Sequence, residues 1–370
     1  MDDTLIAHVL DLAIAIQQIP APPFGEHQRG EFMRDRFVVE NLTSVSVDEL
    51  GNVYGRLPGK GQSNPLVVSA HLDTVFNFDT NLKIRREADK IFGPGIGDNS
   101  LGLAGLFGLK WAIQQKYGDI PEFPGDIWFI ANVGEEGLGD LRGMCAVVDR
   151  FGEHVKAYLV LEGLALGHIY HRALGVRRYR ISVHTSGGHS WVDYGNPSAI
   201  HELANLVNQL TAIQIPSRPR SSLNVGIISG GTSVNTIAAE AHIELDLRSE
   251  GSTALTNLTR RAESLVKETR KPGIEVDFEL IGQRPAGKLA SSHPLVKIAK
   301  RSLQAQGLQP ILTIGSTDAN IPLSLSLPAI TVGLSTGFGA HTLNEYIHTD
   351  PLYQGIAQLV SLVEKIFSEL

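Results

Sequence analysis

Three short apolar runs, each followed closely by a histidine or by acidic residues, constrain the fold more than any other feature of the sequence. They are Leu66–Val68 before His71 and Asp73, Trp128–Val133 before Glu135 and Glu136, and Ala157–Leu161 before Glu162. Each run has the composition of a buried strand, and helix-like stretches separate the runs. In open α/β sheets, ligands bind beyond the carboxyl ends of the strands. We therefore expect these polar side chains to meet at one edge of a sheet.

The alternation of strands and helices predicts an α/β fold with a doubly wound, mostly parallel sheet. This pattern covers residues 1–175 and resumes in residues 287–370. Residues 176–286 differ, because Arg177–His184 alternates strictly and the order of elements becomes β-α-β-β-α-β, as in ferredoxin-like units. We predict a catalytic metal-binding domain in two parts, interrupted by an inserted α+β lid or dimerisation domain.

Length and charge exclude several classes of function. A chain of 370 residues exceeds the size at which one core keeps growing, which agrees with two domains. Its net charge of −7 provides no electrostatic footprint for nucleic acid. No apolar run approaches the ~20 residues of a membrane span, and the N-terminus lacks the basic segment of a signal peptide. We therefore expect a cytoplasmic protein with neither nucleic-acid nor membrane partners.

Cys145 is the only cysteine of the chain. An intrachain disulfide is therefore excluded, and any metal site has to use histidine and carboxylate ligands. The surrounding segment Leu141–Val148 has the apolar face of a helix, which predicts core packing for Cys145 rather than a nucleophilic role.

Histidine and carboxylate side chains together are typical of a catalytic zinc site with a position left open for water. Two metals about 4 Å apart can share a bridging carboxylate. The candidate ligands for such a pair are His71, Asp98, Glu136 and Glu162, and one further histidine is needed. Glu135 is a candidate general base toward metal-activated water. Asp73 is a candidate acceptor for the second ring nitrogen of His71, which would orient the imidazole.

With these residues the chain resembles a family of two-zinc metallopeptidases that includes peptidase T, glutamate carboxypeptidase, the aminoacylases and succinyl-diaminopimelate desuccinylase. The motifs that carry the resemblance are His71-Leu-Asp73, Gly97-Asp-Asn99, Gly134-Glu-Glu-Gly137, Glu162 and His341-Thr-Leu-Asn-Glu345. The resemblance extends over the whole chain, including the inserted domain. It implies two Zn²⁺ per subunit, with Co²⁺ or Mn²⁺ as possible substitutes.

The same resemblance implies a role for each ligand. Asp98 would be the bridging carboxylate. His71 and Glu162 would then hold one metal, and Glu136 and His341 the other. The family commonly has a cis peptide bond after the bridging aspartate, which predicts a cis bond between Asp98 and Asn99.

His348 is the main rival of His341 for the last ligand position. We prefer His341, because the family's C-terminal histidine lies four residues before a glutamate, as His341 does before Glu345.

Three residues of the inserted domain also match family positions. His189, in Ser186-Gly-Gly-His189, resembles a histidine that reaches the active site of a neighbouring subunit and stabilises an oxyanion there; His184 is a weaker rival, and a turn histidine is the plain alternative. Asn235 and Arg248 match residues near the polar end of the substrate. An arginine fork suits a carboxylate, although Arg248 could instead form an internal ion pair. The resemblance implies a homodimer formed through this domain.

The predicted function is a zinc-dependent hydrolase that cleaves an amide bond of a short peptide, as a di- or tripeptidase does. The alternative on the same site is an N-acyl amino acid deacylase or carboxypeptidase, which family members with glutamate at the position of Glu162 tend to be. A remote alternative is a non-catalytic, metal-stabilised binding protein. A nucleotide-binding role for the glycine loop Gly93–Gly97 is disfavoured, because the loop lacks a preceding strand and a following acidic partner.

Overall fold

A computed structural model describes residues 3–118 and 122–370, and the chain divides into two compact units. The larger unit comprises the chain up to Ala173 and again from Lys288 to Leu370. The smaller unit comprises Leu174–Gly287. The roles of these units as catalytic domain and as lid or dimerisation domain stay predictions.

The helices of the described residues are α1 (Asp3–Gln17), α2 (His27–Val39), α3 (Gly102–Tyr117), α4 (Arg142–Phe151), α5 (Ala199–Thr211), α6 (Ser252–Thr269), α7 (Pro294–Gln304), α8 (Asn320–Ser324) and α9 (Leu352–Glu369). Within the described ranges, no helix combines the length and the apolar character needed to cross a membrane.

The strands are β1 (Thr43–Val47), β2 (Val53–Leu57), β3 (Leu66–His71), β4 (Arg85–Glu87), β5 (Lys90–Phe92), β6 (Ile127–Asn132), β7 (Ala157–Glu162), β8 (His168–Ala173), β9 (Gly175–Thr185), β10 (Gly188–His189), β11 (Ser221–Gly230), β12 (Thr236–Ile237), β13 (Glu240–Ser249), β14 (Ile274–Arg284), β15 (Gly287–Lys288), β16 (Ile311–Gly315), β17 (Ala329–Gly333), β18 (Gly337–Phe338) and β19 (Tyr346–His348).

The central sheet of the larger unit confirms the predicted α/β class. Its strands follow the order β1-β2-β6-β3-β7-β17-β8, with β16 beside β8. The four middle strands, β6, β3, β7 and β17, run parallel, and antiparallel pairs lie toward the edges. Every residue of β3 is buried. Because successive side chains of a strand point to opposite faces, the sheet is covered on both sides there.

Helix α3 packs closely against α1 and α9 because it carries glycines at the contacts. A Cβ atom on Gly108 would lie 2.8 Å from Ile356 Cδ1 and 2.9 Å from Val9 Cγ2. On Gly105 it would lie 2.2 Å from Leu334 Cδ1. The close packing fixes α3, whose first residue, Gly102, lies four positions after Asp98.

A small antiparallel sheet of the larger unit has the order β18-β19-β5-β4. Strand β19 pairs with β5, so that Tyr346 faces Phe92 and His348 faces Lys90. This sheet joins two segments that are far apart in the sequence, and no strand was predicted in either of them. The expectation that no strand precedes the glycine loop was wrong, because β5 ends at Phe92.

The smaller unit has an antiparallel sheet of order β11-β13-β9-β14, with α5 and α6 packed on it. Its elements follow one another as β9-α5-β11-β13-α6-β14, disregarding the short β10 and β12. Alternate residues of β13 are buried, which is the pattern of a sheet covered on one face. Strand β11 lies at the edge and exposes Ile227 and Ile228.

The buried strands should dominate the stability of the larger unit. Leu159 is fully buried in the middle of β7, so Leu159→Ala should lower the free energy of unfolding by about 2–5 kcal/mol, through lost burial and the cavity left behind. Urea unfolding of the full chain measures this loss. The control is Leu325→Ala, at a side chain that is 60% exposed, where a similar loss would contradict the assignment of the core.

Candidate metal centre

Two candidate ligands lie at the carboxyl ends of adjacent parallel strands. His71 is the last residue of β3, and Glu162 is the last residue of β7. The two strands pair in parallel register, from Leu66 beside Ala157 onward. Strand pairing alone therefore brings His71 and Glu162 to the same edge of the sheet, as parallel strand ends do.

Asp98 lies in an irregular turn, Ile96–Leu101, that leads into α3. The peptide bond between Asp98 and Asn99 is cis, which confirms the prediction. The Asn99 side chain donates to the main-chain oxygen of Leu161 at 2.8 Å and accepts from the N–H of Gly163 at 2.9 Å. These two bonds tie the turn to the end of β7.

The Asp98 carboxylate faces two imidazoles, one with each oxygen. Its Oδ1 lies 3.2 Å from His71 Nε2, and its Oδ2 lies 3.1 Å from His341 Nε2. Glu162 Oε2 lies 3.7 Å from His71 Nε2, and Glu136 Oε1 lies 3.1 Å from His341 Nε2. Two groups of possible metal ligands result, and they share Asp98.

His348 is engaged elsewhere. Its Nδ1 lies 2.7 Å from Asp89 Oδ2, and its backbone belongs to β19 in the small sheet. Of the two C-terminal histidines, His341 is the one beside Asp98 and Glu136.

Asp73 accepts from the second ring nitrogen of His71, and it does so mainly through its main-chain oxygen. His71 Nδ1 lies 2.9 Å from the main-chain oxygen of Asp73 and 3.5 Å from its Oδ1. Since a carbonyl oxygen can only accept, Nδ1 carries a hydrogen, and Nε2 is the ring nitrogen left to face the other carboxylates. The Asp73 carboxylate accepts instead from the N–H groups of Glu135 at 3.0 Å and Glu136 at 2.7 Å.

Glu135 and Glu136 are both buried beside the centre. Together with His71 they form a third group in which one ligand atom from each residue lies within 4.8 Å of the others. The geometry thus places Glu136 against His341 and leaves Glu135 close to the space in front of His71.

The centre attracts positive charge. Hydrogen bonds with Asp98 and Glu136 raise the pKa of His341 to about 10. Burial alone would lower the pKa of His71, but hydrogen bonds to the surrounding carboxylates raise it well above its ordinary value. Burial raises the pKa of Glu162 to about 7, and it would raise that of Asp98, which the two imidazoles instead hold below its usual range. Protons bound to these groups occupy the positions that metal cations would take.

Sequence reasoning missed two buried charges on the first turn of α2 and just before it. Glu26 Oε1 accepts from the N–H of Gly134 at 3.1 Å and from Arg142 at 2.8 Å. The Arg29 guanidinium donates to the main-chain oxygens of Ile19 and Leu72, and its burial lowers its pKa to about 10. A charged pair spaced three residues apart is equally typical of a solvent-exposed helix face. The burial of Glu26 and Arg29 could therefore not be recognised from the sequence.

Glu345, whose only predicted significance was its place in the His341 motif, is fully buried and accepts the backbone N–H groups of Gly95, Gly97 and Asp98. The loop donors that could have cradled a phosphate are therefore directed at an internal carboxylate. The alternating glycines of the loop were the sequence signal for a bound anion. The group that fills this position is a side chain of the protein itself, Glu345.

The candidates of the smaller unit form two local arrangements. His189 lies in the short strand β10, where it pairs with Thr236 of β12, and the main-chain oxygen of Asn235 accepts from the N–H of Ser190. Arg248 lies on β13 and directs its guanidinium at Asp246, with Nε 2.7 Å from Oδ1. The internal ion pair considered for Arg248 is thus present, and a contact with substrate stays a prediction.

Cys145 lies on α4 and packs, partly buried, against the core of the larger unit. Burial raises the pKa of its thiol, which disfavours the reactive thiolate.

Comparison with known proteins gives a family match over residues 67–365, to Peptidase family M20/M25/M40. The LysW-lysine/LysW-ornithine hydrolase of Saccharolobus solfataricus is 27% identical over 39% of this chain and 40% of its own length. The hydrolase of the same name from Saccharolobus islandicus is 26% identical over 97% of this chain and 96% of its own length.

Solved structures with the same fold include a tripeptidase from Staphylococcus aureus, with a TM-score of 0.82, 22% identity and coverage of 98% of this chain and 99% of that one. The Bacillus subtilis YXEP protein, described as a dinuclear metal binding peptidase from the M20 family, has a TM-score of 0.73 and 16% identity, with both chains fully covered. Because the family match spans most of its length, the chain belongs to the hydrolytic enzymes of Peptidase family M20/M25/M40.

Proposed function

We propose that the protein is a two-zinc metallopeptidase that cleaves an amide bond of a short peptide, in the manner of a di- or tripeptidase. The observation that carries this proposal is the position of Asp98, whose two carboxylate oxygens lie 3.2 Å from His71 Nε2 and 3.1 Å from His341 Nε2. A carboxylate directed at two separate nitrogen ligands has the arrangement of a bridge in a two-metal site.

The donor set fits zinc. His71 and Glu162 would hold one ion, Glu136 and His341 the other, and Asp98 both. Imidazole nitrogens and carboxylate oxygens are common zinc ligands, and Co²⁺ or Mn²⁺ can bind the same set. The raised pKa values of both imidazoles further support a cation site, because they reflect a surplus of carboxylates. When bound, such ions polarise the scissile carbonyl and make water a stronger acid.

The chain supplies the proton transfer through Glu135. Its N–H is held by Asp73 Oδ1, so its main chain is fixed while its side chain lies close to His71 and Glu136. Glu135 would accept the proton of the attacking water and deliver it to the nitrogen of the leaving amine.

His189 is proposed to stabilise the oxyanion of the tetrahedral intermediate. Its Nδ1 accepts from the N–H groups of Trp191 at 3.2 Å and Val192 at 3.3 Å. The hydrogen of the neutral ring is therefore on Nε2, the nitrogen that would donate to an oxyanion. Asn235 and Arg248 would lie at the polar end of the substrate. Arg248 would keep the hydrogen bond from its Nε to Asp246 there.

The peptidase proposal is preferred over deacylase activity. It is supported by the tripeptidase among the similar structures. The alternative, an enzyme that releases an amino acid from an acyl group or a carrier, is supported by Glu162 and by the names of the Saccharolobus relatives.

A substrate panel tests the proposed function. The metal-free protein should be inactive, and added Zn²⁺, Co²⁺ or Mn²⁺ should restore hydrolysis of di- and tripeptides with free amino termini. The same peptides with acetylated amino termini are the matched controls, and amine release measures both. Faster cleavage of the acetylated set would favour the deacylase, and bound zinc without any hydrolysis would favour a binding protein.

Substitution of the adjacent residues Glu135 and Glu136 distinguishes the proposed general base from the proposed metal ligand. Glu135→Gln should lower kcat by about 10²–10⁴-fold, as loss of a general base does, with the metal content unchanged. Glu136→Gln is the matched control and should lose metal, because Glu136 Oε1 lies 3.1 Å from His341 Nε2. Turnover and elemental analysis of both variants provide the measurement. Metal loss in Glu135→Gln with metal retained in Glu136→Gln would reverse the two roles.

We further propose that two copies of the chain pair through the edge strand β11. Within the described residues β11 pairs only with β13, and Ile228 on it is 62% exposed. An open edge with exposed apolar side chains is suited to pairing with another strand.

Sedimentation velocity tests the dimer. The wild-type protein should sediment as a dimer and Ile228→Lys as a monomer, because a buried lysine would oppose the pairing. The control is Ile311→Lys, at an isoleucine of the larger unit that is 50% exposed, and it should leave the dimer intact. A monomeric wild-type protein would refute this part of the proposal.

A further inference from the structure

The glycine loop that precedes Asp98 wraps around the side chain of Glu345. The N–H of Gly95 donates to Glu345 Oε2 at 2.9 Å. The N–H groups of Gly97 and Asp98 donate to Oε1 at 2.7 and 2.8 Å. The main-chain oxygen of Glu345 accepts from the N–H of Gly93 at 2.9 Å. The whole loop is therefore hydrogen-bonded to one residue.

Because Glu345 is buried, its carboxylate requires these hydrogen bonds. Its side chain is fully inaccessible to solvent, and a carboxylate removed from water is costly unless its oxygens are hydrogen-bonded. Peptide N–H groups directed at an anion form stronger bonds than those directed at a neutral acceptor. The loop thus has one favourable position on the carboxylate, and that position fixes the main chain of Asp98.

Glu345 also belongs to the segment of His341. It follows His341 by four residues and directly precedes β19, which pairs with β5, the strand directly before Gly93. The pairing of the strands and the side chain of Glu345 together hold the two segments in register. In this arrangement Asp98 Oδ2 and His341 Nε2 lie 3.1 Å apart.

We propose that Glu345 is a positioning residue of the metal centre, which sets the bridging carboxylate of Asp98 against His341. The proposal rests on the proposed function for the roles of Asp98 and His341 as ligands. Glu345 does not touch the reacting atoms; it acts through the peptide N–H groups of the loop. The Glu345 carboxylate, surrounded by backbone N–H donors, occupies a position like that of the phosphate in nucleotide-binding loops.

Two substitutions change the carboxylate in graded steps. Glu345→Gln keeps one acceptor oxygen for Gly97 and Asp98 but sets an amide N–H₂ group against the N–H of Gly95. Glu345→Leu removes all acceptors and leaves three buried N–H groups unpaired. The control is Asp126→Asn, because Asp126 Oδ1 accepts from the N–H of Gly59 at 2.8 Å at the amino end of β6, away from the strand ends of the centre.

Deuterium uptake of the metal-free full chain tests the contact itself. Uptake in the peptides that cover residues 93–101 and 339–345 should rise in Glu345→Gln, and more in Glu345→Leu, relative to the wild type. Asp126→Asn should leave these peptides unchanged. Unchanged uptake in Glu345→Gln would overturn the proposal, and this variant decides the matter if Glu345→Leu does not fold.

Cobalt binding tests the consequence. Titration of the metal-free protein with Co²⁺, followed by its visible absorption, should show affinity about 10–100-fold weaker in Glu345→Gln, as is typical when a partner behind a ligand is lost. The peptidase assay should show a lower kcat with a smaller change in KM. Asp126→Asn should bind Co²⁺ as the wild type does. Raised uptake with unchanged Co²⁺ affinity would reduce Glu345 to a purely structural role and overturn the proposal.

The two proposals fail separately. A wild-type protein that binds no Co²⁺ would refute the two-metal function, while deuterium uptake would still decide whether Glu345 holds the loop. A wild-type protein that binds Co²⁺ and cleaves peptides, with variants that do the same equally well, would refute the role of Glu345 alone.

Discussion

Asp73 makes the contacts on which the rest of the candidate centre depends. Its carboxylate accepts from the N–H groups of Glu135 and Glu136, while its main-chain oxygen accepts from Nδ1 of His71. A single buried residue thereby orients the imidazole and holds the start of the loop that carries the candidate base. A carboxylate that accepts backbone N–H groups can hold an irregular loop in place, because each buried donor requires a partner.

Two other buried carboxylates around the centre also accept backbone N–H groups. Glu26 accepts from Gly134, and Glu345 accepts from the loop before Asp98. The guanidinium of Arg29 is buried as well, and it interacts electrostatically with Asp73. Burial would lower the pKa of His71, but hydrogen bonds with the surrounding carboxylates, among them Asp73, raise it, and hydrogen bonds with Asp98 and Glu136 raise that of His341. The scaffold that positions the candidate ligands thus also prepares the site for cations.

The strand ends could be predicted because their cause is local. A continuous apolar run indicates a strand buried on both faces, and parallel strands of one sheet end at the same edge, so His71 and Glu162 could be expected at the same edge. The small sheet could not be predicted, because β5 and β19 are each three residues long and carry no periodic pattern. The partner of the glycine loop was equally hidden, since the loop and Glu345 are separated by about 250 residues.

The sequence by itself determined the class of the fold, the order of the strands that end beside the candidate ligands, and the chemical types of residue available to a metal. These follow from periodicity and composition, which act over a few residues. Only the tertiary structure decided that His341 rather than His348 faces Asp98, that the carbonyl of Asp73 orients His71, and that Glu345 fills the glycine loop. Each of these is a hydrogen bond whose partners are set by the packing of the main chain, and such bonds leave no periodic trace in the sequence.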